Sequence, residues 1–370
     1  MDRKDLIQIA VIVGVAILVT VGVVSFVALS QKESTPINPI NIGSQSKADL
    51  YTPAIDISSP DGFINTDPIN ISDLVADSKV VLLDIWTYSC INCQRTLPYL
   101  NAWHEEYADD GLVIIGLHTP EFEFEKDIAN VRRAVEKYGI EYPVVLDNDY
   151  STWNAYGNRY WPRKYLIDID GYVVYDHIGE GGYEETEKAI QAALAERAKR
   201  LGEELDEMSG AKVENAETVD PRTVKTPETY IGYLRVSNMA NLPSEECFDS
   251  SCQLDAPDRL SLNDFALDGV WKIGSEGATL ESTTGSIFIK FSANKANLVL
   301  TSETSVLGQI YLDGELVGEA SSGSDVVSGT IKVMDNDLYN LIDLRGEPGE
   351  HLLEIRFLEP GVSAFAFTFG

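Results

Sequence analysis

The sequence predicts an α/β domain followed by an all-β sandwich domain, with a transmembrane helix at the N-terminus. Three patterns support this prediction. Residues 6–29 are almost wholly apolar. Between residues 55 and 208, apolar runs typical of strands alternate with helical patterns, which indicates an α/β fold around a mixed sheet. Over residues 227–370, short alternating runs are separated by turn residues without helical patterns, as in a β-sandwich.

Composition narrows the classes of function. The chain has 370 residues, enough for two or three domains, and 44% of them are hydrophobic, so it can fill the cores of those domains. Its 28 Lys and Arg residues are outnumbered by 59 Asp and Glu residues, which leaves a net charge of −31. Nucleic acid and anionic lipid surfaces repel so acidic a chain, so neither is expected as a partner.

The N-terminal apolar segment is long enough to cross a membrane. As a helix, residues 6–29 would extend over roughly 36 Å, and a bilayer has a hydrocarbon core of about 30 Å. Arg3 and Lys4 precede the segment, which favours an N-terminus inside the cell and the remaining chain outside the cytoplasm. The small residues at 28–30 leave a cleaved signal peptide as the alternative. Residues 30–54, rich in Ser, Asn and Pro, are expected to form a tether.

The α/β domain is organised around two cysteines that follow its first core strand. Residues 80–85 predict a buried strand, and the next helical pattern begins at Cys90-Ile-Asn-Cys93. A helix N-terminus carries partial positive charge and free N–H groups, and both favour a thiolate on Cys90. A thiolate is the nucleophile in disulfide exchange, and Cys93 lies within one turn, where it can resolve a mixed disulfide. The pair therefore predicts a redox-active disulfide.

Two other interpretations of the cysteine pair are weaker. Half of a zinc site would need further ligands, but the remaining cysteines, Cys247 and Cys252, are distant and differently spaced. A purely structural disulfide is the other alternative, but a bridge between Cys90 and Cys93 closes a very short loop and so constrains little of the unfolded chain.

Asp84 of the preceding strand and Trp86, which directly follows that strand, are candidates for the same site. Asp84 lies near the end of an otherwise apolar run, so its carboxylate is expected to be partly buried beneath the cysteines, where it could accept or return the proton of Cys93. A simple surface carboxylate is the alternative for Asp84. Trp86 is expected to shield the site.

The remaining patterns complete the two-domain organisation. Asp170-Gly171 is a strong hairpin signal between two strands, and residues 209–226 are polar and are expected to link the domains. Further strands of the first domain are expected at residues 112–117, 143–146, 164–168 and 172–175, with helices at 126–138, 151–156 and 184–208.

The spacing of Asp84, the cysteine pair and the helix-kinking Pro98 resembles thioredoxin. In that fold a cis-proline faces the redox cysteines from the segment before the final hairpin. Tyr160-Trp161-Pro162 stands at the corresponding place. The resemblance therefore implies that Pro162 is this residue and positions the backbone of a substrate peptide, with an ordinary trans-proline as the alternative.

Residues 63–182 are similar to the TlpA/ResA branch of thioredoxin-like proteins. Those proteins are membrane-anchored, extracytoplasmic thiol–disulfide oxidoreductases, often reductases that serve cytochrome c maturation, and their extra helical segment corresponds to residues 119–140. Several ResA-like proteins carry a glutamate near the active site after the second strand. The resemblance implies this role for Glu121 in Leu117-His-Thr-Pro-Glu121, with an ordinary loop carboxylate as the alternative.

The chain from about residue 62 to residue 370 also resembles the extracytoplasmic part of DipZ-type proteins, which joins a thioredoxin-like domain to a C-terminal domain. The resemblance rests on residues 86–100, 116–126, 160–168 and 179–187. DipZ-type proteins carry a CcdA-like multi-span electron carrier on the same chain, whereas one span is predicted here. A separate CcdA- or DsbD-like membrane protein is therefore expected to supply electrons.

The C-terminal domain resembles jelly-roll domains of the carbohydrate-binding-module type, which implies a glycan as a candidate ligand. Trp271 is either a platform for sugar stacking or, in the favoured interpretation, part of the core. Cys247 and Cys252 are expected to form a local structural disulfide, with free thiols or a second redox pair as alternatives. The four histidines are not at metal-ligand spacing, and no metal or other cofactor is expected.

These features together predict a membrane-anchored, extracytoplasmic thiol–disulfide oxidoreductase that acts on protein thiols and disulfides. Cys90 would attack the substrate and Cys93 would resolve the mixed disulfide, and the resemblance favours reduction. The alternatives are an oxidase or isomerase, a peroxiredoxin-like peroxidase, and a surface module that binds glycans or proteins on a thioredoxin-like scaffold.

Overall fold

Most of the chain is described by a computed structural model, which covers residues 46–204, 208–214, 216–220, 222–346 and 348–370. The predicted anchor at residues 6–29 and most of the predicted tether lie outside these ranges. Within them, no helix is both long and apolar enough to cross a bilayer. The chain divides into two units between residues 50 and 51, and the described part of the first unit contains one short helix, α1 (Lys47–Leu50).

The α/β domain alternates strands and helices along the described chain. Its strands are β1 (Thr52–Pro53), β2 (Gly62–Ile64), β3 (Val80–Trp86), β4 (Leu112–His118), β5 (Val144–Leu146), β6 (Arg163–Ile167) and β7 (Tyr172–Ile178). Its helices are α2 (Ile71–Ala76), α3 (Ile91–Tyr107), α4 (Ile128–Lys137), α5 (Ser151–Ala155) and α6 (Tyr183–Leu201), with a 3-10 helix at Glu123–Lys126.

The strands of this domain form one mixed sheet in the order β1–β7–β6–β3–β4–β5–β2. β3 pairs in parallel with β4, and β4 pairs in parallel with β5. The other pairs are antiparallel, including β3 with β6 and the hairpin of β6 with β7. This arrangement confirms the predicted thioredoxin-like fold.

The central strand β3 is buried along its whole length, because it pairs with β4 on one side and with β6 on the other. Its alternate side chains enter two separate apolar cores. Leu83 and Ile85 belong to one core, and Leu82 and Trp86 belong to the other, which also contains the buried face of α3. Asp84 shares the second face by this alternation, so its carboxylate lies on the side of the sheet that α3 covers.

Two predicted boundaries need correction. β1 falls inside the predicted tether of residues 30–54 and pairs with β7 at the edge of the sheet, so the folded domain begins earlier than predicted. The last helix, α6, ends at Leu201 and not near residue 208. Gly202 follows it with a φ of 71°, a left-handed conformation that glycine adopts without steric cost and that ends the helix.

The second domain is built from strands, as predicted, and we call it the β-sheet domain. One apolar core fills it, and Trp271 is fully buried there, so Trp271 is a core residue and not a platform for sugar stacking. Its strands are β8 (Thr229–Tyr230), β9 (Ser251–Leu254), β10 (Phe265–Ile273), β11 (Ala278–Leu280), β12 (Gly285–Ala293), β13 (Lys295–Ser302), β14 (Val306–Leu312), β15 (Glu315–Leu316), β16 (Thr330–Val333), β17 (Asp337–Asp343), β18 (Gly349–Phe357) and β19 (Val362–Phe369).

Strand β10 connects two groups of strands in this domain. Its first half pairs with β12, and its second half pairs with β9 and β11. Gly269 lies at the change of partner with a φ of 111°, and a Cβ there would come within 3.1 Å of the Thr284 carbonyl oxygen. At the start of β9, Cys252 forms a disulfide with Cys247.

The two domains contact each other beside the cysteine pair. Ile91 and Phe122 of the α/β domain pack with Val299, Leu338 and Ala366 of the β-sheet domain in one apolar cluster. Because Ile91 lies between the two cysteines in the sequence, the β-sheet domain borders the redox pair directly.

Candidate active site

The two cysteines differ in their access to solvent. Cys90 is the N-cap residue of α3 and is partly exposed, whereas Cys93 lies in the first turn with 1% of its surface exposed. Burial raises the pKa of the Cys93 thiol well above its usual value, and its hydrogen bond with Cys90 acts in the same direction. Cys90 is therefore the sulfur that an external disulfide can reach, and Cys93 is protected beneath it.

Asp84 forms a buried charge pair with Lys164. The two residues lie opposite each other on the paired strands β3 and β6, and Asp84 Oδ1 is 3.8 Å from Lys164 Nζ. Both side chains are almost fully buried, and neither of these two atoms has a hydrogen-bond partner among the described residues. Burial raises the pKa of Asp84 to about 7, although the positive charge of Lys164 opposes this shift. Burial likewise lowers the pKa of Lys164.

Sequence analysis identified Asp84 but not Lys164. A lysine followed by Tyr-Leu-Ile in a strand is not by itself a signal of burial, because long charged side chains usually reach solvent from such positions. The contact between Lys164 and Asp84 follows from the pairing of β3 with β6, which sets the two residues opposite each other. The negative charge of Asp84 also acts to raise the pKa of the Cys93 thiol.

Pro162 lies directly before β6, and the Trp161–Pro162 peptide bond is cis. The carbonyl of Pro162 accepts a hydrogen bond from the N–H of Gly179 at 2.8 Å. The indole Nε1 of Trp161 donates to the carbonyl of Thr119 at 3.0 Å, which fixes that ring beside the opening at Cys90.

Trp86 is placed differently from the prediction that it shields the site. Its side chain is buried in the same core as Cys93, and its ring lies edge-on to His118 at a centroid distance of 5.2 Å. Burial lowers the pKa of His118 to about 3, so this neighbour is neutral at physiological pH. The tryptophan that lines the opening is Trp161, so Trp86 supports the core beneath the site.

Glu121 contacts the β-sheet domain. Its carboxylate Oε1 is 2.7 Å from Arg235 Nη1 and accepts a hydrogen bond from the Tyr230 hydroxyl at 2.8 Å. The guanidinium of Arg235 also lies over the Tyr230 ring, 3.8 Å from its centroid. Glu121 lines the same groove as Cys90, but its charge is already engaged in this contact between the domains.

Glu125 is a site residue that sequence analysis missed. It is fully buried, and its carboxylate accepts hydrogen bonds from the Ser89 hydroxyl at 2.6 Å and from the backbone N–H groups of Glu121 and Phe122 at 2.5 and 3.0 Å. Burial raises the pKa of Glu125 to about 7. Because Ser89 immediately precedes Cys90, this buried carboxylate fixes the loop that presents the reactive sulfur.

A groove of about 670 Å³ opens at Cys90, and both domains line it. We call it the interdomain groove. The α/β domain contributes Cys90, Ile91, Asn92, Arg95, Glu121, Arg159, Tyr160, Trp161 and Glu180, and the chain from residue 219 onward contributes Val219, Val224, Lys225, Thr226, Pro227, Glu228, Tyr230, Arg235, Thr368 and Phe369.

One group of carboxylates in the described chain is close enough to hold a cation. Asp168, Asp170 and Glu196 have oxygens within 4.8 Å of one another, near the turn between β6 and β7. Arg200 Nη1 already lies 2.5 Å from Asp170 Oδ2. The guanidinium of Arg200 thus already supplies a positive charge to this group of carboxylates.

Two family matches cover most of the described chain. Residues 51–176 match the AhpC/TSA family, and residues 226–370 match the family described as thioredoxin like C-terminal domain. The first match contains both free cysteines, and the second coincides with the β-sheet domain.

Named proteins are similar to the chain over different lengths. Protein DipZ from Mycobacterium bovis is 35% identical over 320 residues, which cover 86% of this chain and 43% of DipZ. Thiol-disulfide oxidoreductase ResA from Bacillus thuringiensis is 36% identical over 119 residues, covering 32% of this chain and 65% of ResA. Thiol-disulfide oxidoreductase YkuV from Bacillus subtilis is 28% identical over 118 residues, covering 32% of this chain and 79% of YkuV. The chain spans less than half the length of DipZ.

Proposed function

We propose that this chain, a member of the thioredoxin-like thiol–disulfide oxidoreductases, reduces disulfides in protein substrates through Cys90 and Cys93. The observation that carries the proposal is the asymmetry of the pair. Cys90 opens into the interdomain groove, whereas Cys93 is buried and its pKa is raised. An accessible nucleophile with a protected resolving thiol one turn away suits two successive exchange steps.

The reaction proceeds through a mixed disulfide. The Cys90 thiolate attacks one sulfur of the substrate disulfide, the substrate S–S bond breaks, and the other substrate sulfur leaves as a thiolate. Cys93 then loses its proton and attacks the Cys90 sulfur, which releases the second substrate thiolate. Two electrons pass from the cysteine pair to the substrate, and the Cys90–Cys93 disulfide remains.

Asp84 is the proposed acceptor of the Cys93 proton. A pKa of about 7 allows its carboxylate to accept and to return a proton near neutral pH, which is what a general base and acid must do. The Pro162 segment is the proposed contact for the substrate backbone. Because the Pro162 carbonyl already accepts from Gly179, the backbone of Trp161 is the better candidate for that pairing.

We place both domains outside the cytoplasm, attached to the membrane by the predicted helix at residues 6–29. The disulfide between Cys247 and Cys252 supports this placement, because structural disulfides persist in oxidising compartments. A separate CcdA- or DsbD-like membrane protein is the proposed electron donor. A glycan ligand for the β-sheet domain has less support, because Trp271 is buried in its core.

The reduction potential of the Cys90–Cys93 pair tests the direction of electron flow. The full-length protein would be equilibrated with dithiothreitol and glutathione buffers, and we expect a potential near or below about −250 mV. A potential above about −150 mV would contradict reduction and favour a disulfide-forming oxidase. The absence of any redox transition would instead favour a binding module.

A trapping experiment tests the roles of the two sulfurs. Cys93→Ser should accumulate mixed disulfides with substrate proteins, because the resolving thiol is missing. Cys90→Ser is the matched control and should accumulate none. Equal trapping by the two variants would contradict the proposed order of attack.

A further inference from the structure

Access to Cys90 is restricted by the β-sheet domain. Ile91, which follows Cys90, is only 8% exposed because it packs against Val299, Leu338 and Ala366 of that domain. A partner therefore approaches the Cys90 sulfur through the interdomain groove. At about 670 Å³, the groove has a volume in the range of pockets that enclose a ligand, so it has room for a short extended segment.

The charges on the groove walls are unlike those of the whole protein. Four basic and three acidic residues line it, whereas the chain has 28 basic and 59 acidic residues. The ion pairs Arg95–Glu180 and Arg235–Glu121, each at 2.7 Å, use two charges of each sign. The remaining charged residues of the groove are Arg159, Lys225 and Glu228.

These three residues leave the groove positive. Arg159 and Lys225 form no ion pair with any described residue, whereas the Glu228 carboxylate lies 2.7 Å from the Tyr230 hydroxyl, whose one proton it shares with Glu121. Glu228 also lies close enough to Glu121 for the two negative charges to repel each other. The groove therefore offers two unpaired cations beside the reactive sulfur, in a protein that is otherwise strongly acidic.

The inner wall of the groove also contains an unsatisfied donor. Arg95 is 95% buried, and its Nε and Nη2 donate to Glu180 and Asn92. Its third nitrogen, Nη1, has no hydrogen-bond partner among the described residues. It lies beside Gly370, where a Cβ would come within 3.2 Å of it. Because this nitrogen is itself buried, it does not contact a molecule bound in the groove, and the positive charge available to such a molecule is that of Arg159 and Lys225.

We propose that the interdomain groove selects an extended polypeptide segment in which acidic residues flank the reacting cysteine. This inference rests on the proposed function, since the segment is the substrate of the Cys90–Cys93 pair. Carboxylates near the substrate disulfide complement Arg159 and Lys225, while the aromatic rings of Tyr160 and Trp161 contact the segment on the side of the α/β domain. Substrate specificity would thus come from Arg159 of the α/β domain and from Lys225, which directly precedes the β-sheet domain.

Matched peptides test the proposal. Three peptides of equal length, each with one disulfide flanked by Asp, Ser or Lys, would be reduced by the full-length reduced protein. We expect the Asp peptide to react about tenfold faster than the Lys peptide at low ionic strength, and the difference to narrow in high salt. Lys225→Glu should abolish this preference. Lys272→Glu makes the same charge change on the exposed surface of β10, outside the groove, and should keep the preference.

The outcomes separate this inference from the proposed function. Equal rates for the Asp and Lys peptides, or equal effects of the two lysine substitutions, would overturn the acidic preference while the reductase remains. Reduction of oxidised glutathione as fast as the Asp peptide would assign the groove to small anionic disulfides and contradict a polypeptide substrate. Failure to reduce all three peptides would refute the proposed function, and this inference with it.

Discussion

Replacement of the buried carboxylate of Asp84 by an amide gives the sharpest test of the site. Burial raises the pKa of Asp84 from 3.8 to about 7 in the folded protein. Between about pH 4 and pH 7, Asp84 therefore holds a proton in the folded chain that it has lost in the unfolded chain. The stabilisation linked to this proton is fully present below about pH 4 and is lost as the pH rises through about 7.

The size of this effect follows from the shift in pKa. One pKa unit corresponds to about 1.4 kcal/mol, so a shift of roughly three units corresponds to about 4 kcal/mol over the whole titration. Asp84→Asn removes the titration. The free energy of unfolding of the variant, relative to the original protein, should therefore rise by about 2 kcal/mol between pH 5 and pH 6.5. The attraction of Lys164 is already contained in the shifted pKa of Asp84.

The assay is denaturant unfolding of the reduced protein at several pH values, followed by tryptophan fluorescence. Trp86 and Trp103 report on the core that Asp84 borders. Asp73→Asn, which changes an exposed carboxylate on α2, is the control and should show a difference that stays constant within about 0.5 kcal/mol. A difference for Asp84→Asn that stays constant or shrinks with rising pH would refute the reasoning.

The same substitution should slow the resolution of the mixed disulfide, because the proposed acceptor of the Cys93 proton is lost. Positioned proton transfer contributes roughly 10²- to 10⁴-fold to rates, and a decrease of this order is expected near pH 7. The decay of a preformed mixed disulfide at Cys90 measures it. An unchanged decay would remove Asp84 from the mechanism and leave its effect on stability intact.

Three further predictions concern other parts of the chain. Glu125→Gln leaves buried N–H groups facing an amide and should lower the free energy of unfolding by about 2 kcal/mol in denaturant titrations. The control, Glu123→Gln, changes an exposed neighbouring carboxylate and should change this free energy by less than about 0.5 kcal/mol. Equal effects of the two substitutions would contradict the role of the buried carboxylate. Arg235→Ala removes the ion pair with Glu121 and should separate the domains enough to speed limited proteolysis between them, and an unchanged digestion rate would argue that the apolar cluster suffices. Cys252→Ser opens a short loop and should cost about 2 kcal/mol of stability without altering the redox potential; a shifted potential would indicate a second redox pair.

Sequence alone determined the parts of the site that depend on local geometry. Cys90 and Cys93 are three positions apart at a helix start, so their proximity follows from the helix itself. The apolar run of β3 likewise placed Asp84 among buried side chains. The α/β class of the first domain and the later β-sheet domain were also predictable, because periodicity and turn residues distinguish alternating helices and strands from strands alone. The thioredoxin-like fold was implied by the resemblance of the motifs. All of these patterns are formed by residues that are close together in the sequence.

Tertiary structure decided which distant residues meet. Lys164 is the partner of Asp84 only because β6 pairs with β3 in the register that sets the two residues opposite each other. Glu121 was predicted as an active-site glutamate, and the structure pairs its charge with Arg235 of the other domain, while Glu125 holds the loop before the reactive cysteine. The order of strands and the packing of the two domains bring these groups together. Both depend on contacts between residues far apart in the chain, which no local pattern specifies.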